Sequence, residues 1–365
     1  MVGYWRKATE PTLKRICVSM VFALILASVL LAFTPALLAA GSSGPLISPW
    51  DASPVDLTEE PYDCPPAPPI APDITVTKGL GKSDLSPAVR QAIYPESDEA
   101  LHDLTSQAVE AADTFRRTGS QAAARCAITL LAHAAADHAM AGYMATADAT
   151  NEQNMALRSV AIAYLKVRNS GMATAEEQAL VSAWLEDITH QERNRIGSGP
   201  CGRNICGAHG HSGMGIAMAA AAVAIAANDR HLFSWSVGQY HTAIHLIDEH
   251  GMSHYDTHGQ YALNFNLISA GCLVQIAEFG EANGLPLYAY DHGRIHLLVG
   301  TVSRGLIDAS PFSVATGATQ RISSTIEPWE IVWASAYNRR FPDPLIAGLL
   351  QQVGSASADL WGGAL

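Results

Sequence analysis

The chain has 365 residues, enough for one large domain or two ordinary ones, and its 48% hydrophobic content supplies a substantial core. Its formal net charge is -12, from 22 Lys and Arg against 34 Asp and Glu, which argues against nucleic acid as a partner because phosphate binding needs a basic face. A polyanion would have to be met by a local basic cleft set against that overall field.

The charge is unevenly spread. Arg6, Lys7, Lys14 and Arg15 precede an apolar run from Cys17 to Phe33, and small residues follow from Ala36 to Gly44. This is the layout of a secretory signal peptide cut near Ala39-Ala40-Gly41. The alternative, with Leu37 and Leu38 close to the cut, is a retained membrane anchor, although the run is just short of a normal span. Either outcome implies a periplasmic or secreted protein, in a compartment that permits disulfides. Of six cysteines, Cys201 and Cys206 are close enough to close a small loop. Cys64 and Cys126 are a possible long-range pair that leaves Cys272 free, and the competing reading buries Cys126 and Cys272 as small apolar side chains.

Residues 41–72 are rich in Pro, Ser and Gly and read as an extended linker, pinned near Cys64, in which no core is expected. The stretch Lys78-Gly79-Leu80-Gly81-Lys82 has the composition of a mobile loop. From about Glu96 apolar residues recur every three or four positions, predicting helices at 97–117, 121–145, 151–168, 174–195, 212–227, 229–250, 258–283, 287–306 and 326–340. Gly119, Asn169-Ser170-Gly171 and Gly251 punctuate them as helix ends do. The alanine-rich face from Ala217 to Ala227 lets helices approach closely, and short connections make neighbours antiparallel. With no βαβ alternation, no repeat of 20–50 residues and no Gly-rich phosphate loop, the chain reads as all-α: a layered array of helical hairpins over 73–353 with a tail at 354–365.

Chemistry is concentrated between Cys201 and Phe265. Eight of the 14 histidines fall between His209 and His258, and histidine is the side chain best suited to moving protons near neutral pH. His209-Gly210-His211-Ser212 opens one helix, and His254-Tyr255-Asp256-Thr257-His258 leads into another. His241 and His245, four apart, and the set His209, His211, His254, Asp256 and His258 are metal-ligand types. They do not form an established contiguous metal motif, and a helix face lining a groove explains them as well, so no metal or cofactor is assigned.

The order of Cys126-Ala127-Ile128-Thr129-Leu130-Leu131, Met155 to Leu165, His211-Ser212, Asn228 to Trp235 and Tyr261-Ala262-Leu263 resembles the alginate lyases of polysaccharide lyase family 5. Ile326-Glu327-Pro328-Trp329 and Phe341-Pro342-Asp343-Pro344 resemble that family's C-terminal segment, so the likeness runs from about Cys64 to Pro344. The resemblance implies an incomplete α/α toroid with a deep groove, and metal-free β-elimination of a uronic-acid polymer such as mannuronan. Such chemistry needs the uronate carboxylate neutralised, a base for the C5 proton and an acid for the departing O4. The family histidine falls on His211, but its asparagine partner becomes Gly210, its arginine falls near His258, and its tyrosine falls on Phe265.

Phenylalanine exchanges no proton, so the acid must come from elsewhere. Tyr261, one helical turn before Phe265, and Tyr255 in the preceding loop are the candidates. The expected roles are His211 as base, Tyr261 as acid, and His258 or Arg203 steadying the carboxylate. His209, Tyr255 and Arg339 are substrate-binding candidates, together with Lys78 and Lys82 on the loop that acts as a lid in the resembling family. Two rival readings remain: a non-catalytic glycan-binding protein that guides a nascent exopolysaccharide, which Phe265 and Gly210 favour, and a metal-dependent hydrolase.

Overall fold

The computed structural model describes residues 44–74, 96–145, 147–198, 210–354 and 358–364. The leader or anchor expected over 1–40, the Lys78–Lys82 loop and the Cys201–Cys206 pair lie outside the described residues. The helices are α1 (Glu96–Thr118), α2 (Gln121–Ala136), α3 (Ala147–Val167), α4 (Ala175–Ser198), α5 (His211–Ala227), α6 (Arg230–His245), α7 (Ala262–Ala282), α8 (Ile295–Gly305), α9 (Ser310–Thr316), α10 (Pro328–Ile331), α11 (Ala334–Arg340) and α12 (Pro344–Val353). Short 3-10 turns sit at Gly259–Tyr261, Leu287–Gly293 and Asp359–Trp361. Among the described residues no strand forms; extended segments meet in isolated bridges such as Thr58 with Ser120 and Ile74 with Met144.

Every residue of α5 from Gly213 to Ile225 is buried. A helix that is apolar all round belongs in the interior, and α5 accordingly packs against α3, α4, α6 and α7. Its small side chains permit that many neighbours. Asp229 ends the connection to α6 as an N-cap, its carboxylate accepting from His231 N and Leu232 N. The start of α5 and the start of α7 therefore face a common region, and the histidine-rich motifs sit at both.

Several expected boundaries shift for identifiable reasons. The helix expected over 121–145 ends at Ala136 because the backbone groups beyond it pair with the 71–74 segment: Met140 N donates to Ala71 O, Gly142 N to Pro72 O at 2.8 Å and Ala145 N to Ile74 O. The helix expected to 250 stops at His245, where Asp248 Oδ1 takes His250 N and Met252 N in a local turn closed by Gly251 at φ +77°. The 287–306 helix is broken by Asp291 and His292, both in left-handed conformation. The 326–340 helix is two short ones, and α9 and α12, each opened by a proline in its first turn, were absent from the expected set.

The 41–72 stretch contributes core where none was expected: Leu46 and Ile70 are 4% and 5% exposed. Arg168 holds it by hydrogen bonds to Asp51 Oδ2 at 2.5 Å and to Leu46 O, and the Cys64–Cys126 disulfide ties it to α2. Cys272 is a buried free thiol. The expected tail is likewise packed. Trp361 is fully buried, its indole N–H donates to Trp329 O at 2.7 Å, and its ring lies where a Cβ on Gly271 would come within 2.4 Å. Only glycine at 271 leaves room for it.

Candidate active site

His211 is the first residue of α5, with Gly210 as an extended N-cap that offers no side chain to the helix end. Asp256, reaching across from the loop before α7, supplies what Gly210 lacks. Its Oδ1 accepts both the His211 backbone N–H at 2.8 Å and His211 Nδ1 at 2.9 Å. A carboxylate at a helix N-terminus is favoured by the exposed amides and the helix dipole. It also fixes the imidazole: with Nδ1–H donating to Asp256, Nε2 is the lone-pair nitrogen. Asp256 is fully buried while the His211 side chain is 27% exposed.

Asp256 is itself held. Its Oδ2 accepts from Ser253 Oγ at 2.9 Å and from Ser269 Oγ at 2.5 Å, and Asn266 Oδ1 accepts from Ser253 N at 2.7 Å. The arrangement is a histidine with an orienting carboxylate and a hydroxyl shell behind it, a geometry able to direct an imidazole toward proton transfer. Beneath the same helix end, Asn154 Nδ2 donates to Ser212 O at 3.3 Å. Its neighbour Gln153 accepts from Arg195, which pairs with the buried Glu192. Burial pushes the Glu192 carboxyl up to about 7, although Arg195 opposes the shift.

Phe265 stacks on the face of the His211 ring, ring centroids 4.2 Å apart. Two further rings surround Phe265: His258 at 5.4 Å and Tyr261 at 6.1 Å. His258 is the exposed, extended cap of the 3-10 turn, and Tyr261 ends that turn as the cap of α7. Tyr261 therefore stands at a helix mouth rather than on the helical face expected for it, because Gly259 at φ +62° breaks the run. Its hydroxyl accepts from Arg321 Nη1 at 2.7 Å. Tyr255 sits beside Gly210, its Cβ 3.5 Å from where a Gly210 Cβ would be.

The structure thus brings His211, His258, Tyr261 and Tyr255 into one neighbourhood. Arg203, His209, Lys78 and Lys82 lie outside the described residues. Arg339 is exposed in the last turn of α11. The adjacent Arg340 pairs with Glu278, which is thirteen residues, roughly 20 Å, along α7 from Phe265, so Arg339 is not gathered with the His211 cluster. His241 and His245 form a separate group, in which Tyr290 stacks on His241 and bonds His245 Nε2, while Asp291 takes His245 Nδ1. Among the described residues no three His, Cys, Asp or Glu side chains converge as a metal site.

Sequence reasoning missed Asp256 as the partner of His211 and missed Arg321 altogether. Asp256 was open to discovery, as an acid flanked within two residues by His254 and His258. Arg321 carries no local signal, since it comes from a segment sixty residues downstream of Tyr261.

Comparison with known proteins gives a consistent picture. The family model described as alginate lyase matches residues 69–312. An alginate lyase of Azotobacter chroococcum mcd 1 is 29% identical over 187 residues, covering 50% of this chain and 49% of that protein. One of Pseudomonas syringae pv. syringae (strain B728a) is 24% identical over 268 residues, 70% of each chain. The match thus spans about half the length of the first relative and rather more of the second. Among solved structures, alginate lyase A1-III from Sphingomonas species A1 superposes with a TM-score of 0.72 at 17% identity, covering 86% of this chain and 90% of that one. Its His-to-Ala and Tyr-to-Phe variants, each complexed with a tetrasaccharide, give the same score. The fold is accordingly the α/α toroid of antiparallel hairpins.

Proposed function

The chain belongs to the alginate lyase family, and from that premise we propose that it cleaves a uronate-rich polysaccharide of the alginate type by β-elimination at the His211 cluster. The observation that carries this reading is the His211–Asp256 pair, which leaves Nε2 as the proton acceptor at a partly exposed helix end. In the proposed reaction His211 Nε2 removes the C5 proton, the C5 electron pair forms the C4=C5 double bond, and the C4–O4 bond breaks. Tyr261 protonates O4. His258, exposed beside Phe265, faces the uronate carboxylate and, when protonated, offsets its charge.

Secretion fits the same reading. The basic-then-apolar N-terminus is a leader or anchor by composition, and the Cys64–Cys126 disulfide is a bond of oxidising compartments. We infer a periplasmic or extracellular protein meeting an anionic polysaccharide. The test is digestion of polymannuronate, polyglucuronate and an acidic exopolysaccharide, followed in the near ultraviolet for the unsaturated product. His211→Ala should abolish that signal, and silence of the wild type on the whole panel defeats the proposal.

A second reading is favoured by one observation: Phe265, stacked on His211, has no proton to give. In that reading the groove holds the glycan without cutting it. Affinity electrophoresis showing retention of the protein by polymer whose chain length never changes would support it over the lyase.

A further inference from the structure

Arg321 stands sixty residues beyond Tyr261 in sequence, yet its Nη1 donates to the Tyr261 hydroxyl oxygen at 2.7 Å. Its guanidinium carbon lies 5.9 Å from the centroid of the same ring. The approach is held on both sides of Tyr261 by backbone contacts. Arg321 N donates to Gln260 O at 2.7 Å. Gln320 Nε2 donates to Gly259 O at 3.0 Å, and Gln320 Oε1 accepts from Leu263 N at 3.1 Å. Gln320 is 7% exposed, so the lacing is sheltered from water although the arginine is at the surface.

A phenol has one proton and two lone pairs. With an Arg321 N–H on a lone pair, the Tyr261 proton is directed to some other acceptor. When that proton leaves, negative charge develops on an oxygen that already accepts from a guanidinium, and no donor has to move. We propose that Arg321 is the positioning residue for the acid half of the elimination, aiming the Tyr261 proton at O4 and holding the phenolate that results. This rests on the lyase reading above. The step balances: the C5–H bond breaks to His211 Nε2, its electron pair becomes the C4=C5 bond, and the C4–O4 pair goes to O4, which takes the Tyr261 proton. The imidazolium then releases its proton to solvent, and the phenolate regains one from solvent.

The role is distinct from that of a surface cation that merely attracts polymer. Arg321→Ala should lower kcat on the best polymer about 10²-fold with KM within about threefold, and added guanidinium ion should restore part of the rate. In a Tyr261→Phe background the same substitution should change kcat less than threefold, because the group it serves is gone. Arg321→Lys, which keeps charge but loses the planar fork, should fall in between and carries the comparison if the alanine variant fails to fold. A raised KM with unchanged kcat, or an undiminished loss in the Tyr261→Phe background, overturns the role while leaving the lyase reading intact. A wild type inactive on every polymer overturns both.

Discussion

The imidazole of His211 lies flat on the ring of Phe265, with centroids 4.2 Å apart and planes within 2°. Phe265 keeps the shape of an aromatic floor beneath His211 and lacks the hydroxyl that a tyrosine would place there. The Tyr261 ring, 6.1 Å from Phe265, flanks the same floor. If Tyr261 has taken over proton donation, Tyr261→Phe should reduce kcat by about 10²- to 10⁴-fold, the usual weight of a general acid. Adding Phe265→Tyr to that variant should recover at least about tenfold, because the hydroxyl returns to the same floor. Rates of unsaturated-product formation decide it, and a double variant as slow as the single one would show that Phe265 does not reach the reacting groups.

Asp256 determines which nitrogen of His211 holds the proton. Asp256→Asn preserves size and one acceptor but puts an amide among Ser253, Ser269 and His211, so the imidazole can be held in the wrong tautomer. In catalytic triads the equivalent change costs about 10⁴ in kcat, and a loss of at least about 10² is expected here. KM should hardly move, since Asp256 is fully buried and touches no polymer. Unaltered kcat would remove Asp256 from the mechanism.

What was legible in the sequence followed from periodicity and what was not followed from long-range pairing. The buried run of α5 and the placing of His211 at its first turn could be read directly. The end of α2 at Ala136 could not, because residues 71–74 claim the backbone groups that would have continued the helix. The core role of Trp361 depends on the absence of a side chain at Gly271, ninety residues earlier. At the site, the spacing of Tyr261 from Phe265 implies a shared helical face, yet Tyr261 reaches the cluster from a 3-10 turn. Its partner Arg321 arrives from a loop that shares no pattern with it.

Gly210 and Asp256 are linked by space. A Cβ on Gly210 would come 2.9 Å from Asp256 Oδ1, closer than side-chain carbons are found to lie. Asparagine at this position, the residue that the family pattern places there, would make a good helix N-cap by itself but must displace the carboxylate. Gly210→Asn is therefore expected to lose about 1–3 kcal/mol of stability and to lower kcat. Pairing it with Asp256→Ala should recover the stability without the activity. Thermal melts of the two variants check the first half and product formation the second.

The Cys64–Cys126 bond joins residues 62 apart. In the chain-entropy picture a loop of that length stabilises by about 4 kcal/mol. Cys64 is exposed, so Cys64→Ser removes the link without opening the core around Cys126. Urea unfolding of that variant should show a midpoint lowered by an amount equivalent to a few kcal/mol, and the wild type under reductant should match it. An unchanged midpoint in both would show that the 44–74 segment holds to α2 without the bond.

Glu192 gives stability a pH dependence of definite sign. Its side chain is fully buried, one carboxylate oxygen finds no hydrogen-bond partner among the described residues, and burial raises its pKa from 4.5 to about 7. Between those two values the folded protein holds a proton that the unfolded chain has lost. The stability that this group contributes is therefore fully present below about pH 4.5, falls as pH rises toward 7, and then levels off. At about 1.4 kcal/mol per unit the change from this one group is about 3 kcal/mol. Glu192→Gln keeps the shape and removes the titration, so its melting temperature should decline less than that of the wild type between pH 5 and 7. Parallel curves for the two proteins would mean that Glu192 stays ionised against Arg195 throughout that range.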